Sequence, residues 1–289
     1  MNLFEQDAQP TDLVKLGTLA LRIAARRMAP YASVYSRKDF TQPQLLACLI
    51  IRGARGLTYR GTAALLRECP DLKAALGLTK VPHFTTLESF ANTGDLLLLV
   101  DDLIQELMLH IGGGDKPRVE EIAVDSTGFS ATCSSAYFSE KRRHCGPFVK
   151  VSVAVVCGLL LPASVVISWG RSNDKTQAPE VITKAAACVQ ATRLYADAGY
   201  DGERTHQLCR ERLGIQSFIP PVLKSRDGSI KTRYRAMMRP LPAGYARRNH
   251  VESFFSAVKR TGGSGLRART RRTQFTEAAF RILGYAIHR

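Results

Sequence analysis

Acidic residues are nearly missing from the last quarter of the chain. Between Lys224 and Arg289 there are 3, against 16 Lys and Arg, so this segment holds +13 of a total net charge of +16. A tail of that kind points to a long polyanion, bound through release of the counterions that surround its phosphates. No two of the 7 cysteines form a C-x-x-C pair, which removes zinc-ribbon and dithiol redox motifs and predicts a reduced, cytosolic protein. Cys133, His144 and Cys145 lie close in sequence but lack a fourth ligand, so no zinc site is expected. There is no G-x-x-x-x-G-K-[ST] motif, hence no phosphate-binding P-loop. The longest uncharged stretch, 151–170, is interrupted by Gly158 and Pro162; it predicts two strands and a turn, and no membrane association is expected. Glu5, Asp7 and Asp12 stand where a signal peptide would carry basic residues. No internal repeat occurs, and nothing is of low complexity beyond an arginine-rich stretch at 267–272. At 45% hydrophobic and 23% charged residues, the composition is that of a globular protein with a sizeable core.

The texture changes along the chain. Leu13, Leu16, Leu19, Leu21 and Ile23 suggest one amphipathic helix. Leu45, Leu46, Leu49 and Ile50 predict a second, broken by Gly53 and Gly56. Thr58 fits the N-cap of a third, a short helix over 71–76 is closed by Gly77, and another reaches about Asn92. Short helices with tight turns predict a helix-turn-helix-like DNA-binding region over 1–110, with Arg55, Arg60 and Arg67 as candidate contacts. A leucine-rich helix over 95–110 leads to Gly112-Gly113-Gly114, read as a hinge. Beyond it, strands are predicted at 121–125, 148–157, 161–169, 194–197 and 215–219, and helices at 176–190, 202–213 and 243–260. That order predicts a mixed α/β sheet over 115–289.

Two of these strands end in aspartate. Asp125 follows Ile122-Ala123-Val124, and Asp197 follows Leu194-Tyr195-Ala196. A carboxylate at the end of an apolar strand is desolvated at a cost, and in α/β sheets the carboxyl ends of strands are where sites form. In the basic helix at 243–260, Tyr245, Arg248, Glu252 and Lys259 fall within an arc of roughly 60° at 100° per residue, and Glu252 is its one carboxylate. Three carboxylates on separate elements suit a hard divalent cation, and cations beside them suit phosphate. Ser126 has no evident His or Asp partner, so a serine nucleophile is not expected. Asp174 reads as an N-cap, Asp201 as a helix start, and the basic 129–147 loop as a possible DNA contact.

The spacing Tyr245-x2-Arg248-x3-Glu252-x6-Lys259 resembles the signature of insertion-sequence DDE transposases, and Asp125-Ser-Thr-Gly and Tyr195-Ala-Asp197-Ala-Gly-Tyr-Asp201 resemble that family's two aspartate motifs. The resemblance covers about 121–289. It implies an α/β, RNase H-like sheet flanked by helices behind an all-helical N-terminal region. It also implies Asp125, Asp197 and Glu252 as catalytic and metal-binding triad, with Tyr245, Arg248 and Lys259 contacting DNA. Mg²⁺ or Mn²⁺ would be the cofactor, as two ions, and metal-activated water would free a 3′-OH that attacks target DNA. The implied partners are double-stranded DNA, as terminal inverted repeats and target, and a second copy in a homodimer; the location would be the prokaryotic nucleoid. The 55 residues between Asp197 and Glu252 leave no room for the large β insertion some members carry there. The alternatives are a nuclease of the same fold without strand transfer, and an inactive DNA-binding remnant.

Overall fold

The computed structural model describes residues 12–92, 96–131, 148–170, 172–223 and 229–289. Cys133, His144 and Cys145, and most of the basic loop after Phe129, lie outside them. Helices α1 (Asp12–Arg27), α2 (Gln42–Arg55), α3 (Tyr59–Glu68), α4 (Pro70–Ala75), α5 (Phe84–Asn92) and α6 (Leu99–Ile111) come first. Their ends follow from local chemistry. Thr41 and Gln44 form a reciprocal capping box at α2, Gly56 ends that helix at φ 58°, and the Thr58 hydroxyl accepts the Gly61 N–H at α3. Gly112–Gly114 form a tight turn: a Cβ on Gly112 would lie 2.0 Å from the Asp115 carbonyl oxygen.

Strands β1 (Arg118–Ser130), β2 (Phe148–Val156), β3 (Leu161–Trp169), β4 (Gln190–Ala196) and β5 (Gln216–Phe218) form one sheet in the order β3-β2-β1-β4-β5. β2 is antiparallel to β1 and β3, whereas β1, β4 and β5 run parallel. This is the RNase H-like arrangement. Helix α7 (Asp174–Cys188) follows β3, α8 (Glu203–Gln207) follows β4, and α9 (Arg233–Ala236) precedes α10 (Asn249–Gly262) and α11 (Arg271–His288). Among the described residues, the span from Asp197 to Glu252 holds only β5 and short helical segments, as its length predicts.

Successive strand residues face opposite sides, and the contacts show which side is which. Ser126 and Ser152 face α7, bonding Asp174 and Gln177, while Asp125 and Thr127 face the α10 side, meeting Arg248 and Lys259. The 18-residue α11 is absent from the sequence expectations. It buries Ala278, Ala279, Ile282, Leu283 and Ala286 and crosses α2 closely: a Cβ on Gly53 would lie 2.3 Å from Phe280 O, and one on Gly284 2.6 Å from Ala54 N. One buried hydrophobic cluster therefore runs from Leu16 to Ile287, across the turn at Gly112–Gly114.

Candidate active site

The parallel β1/β4 ladder ends at the pair Val124↔Ala196, so the next residue on each chain segment, Asp125 and Asp197, stands beside the other where the two strands part. Asp125 is largely shielded; its Oδ1 accepts the Ser126 N–H at 2.7 Å. Burial pushes its carboxyl above the ordinary range, and the nearby charges of Asp197 and Asp174 add to this against the pull of Ser126 N–H and Arg248. Asp197 is exposed and caps the short 3₁₀ turn Ala198–Tyr200 through Ala198 N–H at 2.5 Å.

Residues 243–260 are not one α-helix. Ala243–Arg248 is a 3₁₀ segment, and α10 begins at Asn249. At three residues per turn, positions i and i+3 eclipse, which brings Tyr245 and Arg248 onto one line more closely than α-helical spacing would. The segment is pinned at three points. The Tyr245 hydroxyl donates to Ala196 O at 3.0 Å, Arg247 reaches the buried Glu121 at 2.7 Å, and Arg248 lies 3.6 Å from Asp125 Oδ2. Arg248 also meets Glu252 Oε1 at 2.7 Å. Burial alone would weaken its hold on the proton, but Glu252, Tyr245 and Asp125 outweigh this and strengthen it. Lys259 donates to Thr127 Oγ1 at 2.6 Å, and burial pushes its ammonium down from the ordinary lysine value. The strand expected to end at Asp125 instead runs on to Ser130, paired with β2, and the six expected site residues gather where β1 parts from β4. Glu252 is the outlying carboxylate, held by Arg248, and among the described residues no three His, Cys, Asp or Glu side chains converge as a ready-made metal cage.

Other side chains near the site differ from expectation. Asn173, not Asp174, caps α7. Asp174 instead accepts from Ser126 Oγ at 2.8 Å and pairs with the buried Lys150 at 2.7 Å. Ser126 therefore has an aspartate partner, but among the described residues no histidine bonds it. Asp201 does not start a helix, since Gly202 takes the N-cap of α8. It is buried and paired with Arg235 through two contacts of 2.8 Å, which fastens the chain after the second aspartate. Neither Lys150 nor Glu121 was singled out from the sequence; only the oddity of a charge inside an apolar strand marks them there.

An RNase H-like sheet with aspartates where the β1/β4 ladder ends, and a basic helix laid beside them, defines a class of enzymes that act on phosphodiesters. A family model described as a transposase DDE domain matches residues 118–287, more than half of the chain, and the chain belongs to that family of metal-dependent DNA transposases. No curated protein matches the sequence. Among solved structures, a cryo-EM piggyBac transposase synaptic complex with hairpin DNA aligns with a TM-score of 0.48 and 8% identity, covering 96% of this chain and 71% of that one. In the described residues, no helix is long and apolar enough to cross a membrane.

Proposed function

We propose that Asp125, Asp197 and Glu252 form one catalytic unit that cleaves the ends of an insertion sequence and joins the freed 3′-OH to target DNA. The observation that carries this reading is the register: a single ladder pair sets Asp125 beside Asp197, on the sheet face that α10 covers. The carboxylate set fits hard divalent cations. Asp125 is already crowded by Asp197 and Asp174, and Arg248 lies between Asp125 and Glu252, so positive charge is what this cluster takes up. Asp125 and Asp197 would hold Mg²⁺ or Mn²⁺, as two ions, with Glu252 joining when Arg248 turns to phosphate. When bound, the metal supplies charge stabilisation for the attacking and leaving oxygens of an in-line displacement. Tyr245 lies close to both aspartates and can orient a backbone oxygen. Lys259, with no carboxylate in contact among the described residues, can pair with a phosphate.

The DNA partner is supported by the basic C-terminal segment, with sequence-specific reading assigned to the helical region over 1–110 and chemistry to 115–289. An element with two like ends presents its sequence twice, which suits a homodimer, acting at the prokaryotic nucleoid. Asp125→Asn, Asp197→Asn and Glu252→Gln should each reduce Mg²⁺-dependent nicking of supercoiled plasmid to background while DNA binding persists. Near-normal nicking by any one variant would remove that residue from the unit. Nicking by the wild type without joined products would leave a nuclease.

A further inference from the structure

A groove of about 550 Å³ lies away from the carboxylates, between the start of α3, the length of α5 and the strap 267–270. Arg60, Arg267 and Arg269 line it, all exposed, and among the described residues none has an ion-pair partner. Glu88 is the one exposed carboxylate on its wall. The Arg60 guanidinium is stacked on the Phe84 ring at 3.9 Å, which holds its planar fork in place before any ligand arrives. These cations come from sequence positions some 200 apart, so their convergence is a product of the fold.

The strap is built rather than loose. Buried Glu277 accepts the backbone N–H groups of Arg267 and Ala268, at 3.1 and 2.8 Å. Buried Arg281 donates to Gly263 O and Gly265 O, both at 2.7 Å, and pairs with Glu277 at 2.7 Å. Arg52, also buried, adds a 3.7 Å contact to Glu277. Burying such ions costs desolvation that apolar packing would avoid; what they secure is one backbone path for 263–268. That path is tied to strand β1, where Ser130 N–H donates to Ser264 O at 2.9 Å and Leu266 N–H to Ser130 O at 2.8 Å. Ser130 lies five residues beyond Asp125 on the same strand, roughly 17 Å at strand rise, which is about half a helical turn of duplex.

We propose that this groove clamps the phosphodiester backbone of the DNA substrate, and that the strap's attachment to β1 sets which phosphate reaches Asp125. The inference rests on the DNA reading above. Its exposed guanidinium forks suit the phosphates of one backbone strand.

The test is an Arg60→Ala/Arg269→Ala double variant of the full chain, with DNA binding measured across a salt series. The plot of log K against log[salt] should flatten by about two units, and cleavage should spread over neighbouring phosphates. Arg60→Lys/Arg269→Lys should restore the slope, since charge suffices for attraction. An unchanged slope in the alanine pair, beside a steep wild-type slope, overturns the clamp alone. A wild type that binds DNA without salt dependence overturns the DNA reading and the clamp together. A lysine pair that fails to restore the slope makes the loss structural and also overturns it. Inorganic phosphate at matched phosphate concentration should compete poorly; equal competition would assign the groove to a free anion instead.

Discussion

At the scale of single residues, the site is a balance between crowded carboxylates and one arginine. Asp125 in the folded protein holds its proton to a higher pH than it does in the unfolded chain. As pH rises from the ordinary carboxylate range through that raised value, the unfolded chain loses its proton first and folding stability falls. Above it the loss persists. Asp125→Asn should therefore melt at the same temperature as the wild type or higher at pH 7 without metal, with the difference closing below the ordinary carboxylate range. Thermal melts over a pH series check this; a variant less stable at pH 7 would show that Asp125 is held by its partners rather than strained. The two cations at the site should differ in DNA binding. Lys259 meets the Thr127 hydroxyl and the Phe129 ring and, among the described residues, no carboxylate, so Lys259→Ala should flatten the salt slope by about one unit. Without metal Arg248 faces two carboxylates, so Arg248→Ala should then flatten it by less, and by about as much once Mg²⁺ displaces Arg248 towards phosphate. A difference that persists in titrations with Mg²⁺ on the same duplex would mean that Arg248 stays with its carboxylates.

At the scale of elements, the controlling contact is the crossing of α2 and α11. Gly53 and Gly284 let the two backbones approach to a distance at which no side chain fits. Gly284→Ala should cost about 1–3 kcal/mol or more through overpacking, read as a lower urea midpoint with an unchanged slope. A midpoint within error of the wild type would mean the helices can slide apart freely. The same scale explains Tyr245 and Arg248. Their alignment comes from a 3₁₀ segment pinned by Ala196, Glu121 and Asp125, not from the start of a continuous α-helix.

At the scale of the whole molecule, helices α1 and α2 belong to the same buried cluster as α11 and the sheet. A fragment beginning near residue 115 would uncover the apolar side of α11. It should lose cooperative unfolding and bind a hydrophobic dye such as ANS, while the full chain does neither. A fragment that melts in one sharp transition would support Gly112–Gly114 as a domain boundary. Sequence preference is therefore better tested by substituting the exposed Arg55, Arg60 and Arg67 in the full chain than by truncation.

The sequence by itself determined what local chemistry controls. Hydrophobic alternation placed β2 and β3 to within a residue, threonines and glycines marked the ends of α2 and α3, and an apolar run closed by aspartate pointed to both Asp125 and Asp197. The spacing around Glu252 was equally visible, because helical period is a property of neighbours. Long-range packing decided the rest. Helix α11 was hidden because its arginine-rich opening masks an apolar face that has meaning only against α2 and β3. Asp174 looked like a cap until the fold set it beside Lys150 and Ser126, and Asp201 looked like a helix start until Arg235 arrived from 34 positions away. Whether a charge caps, pairs or waits for a ligand depends on which distant groups share its low-dielectric surroundings, and only the tertiary structure brings those groups together.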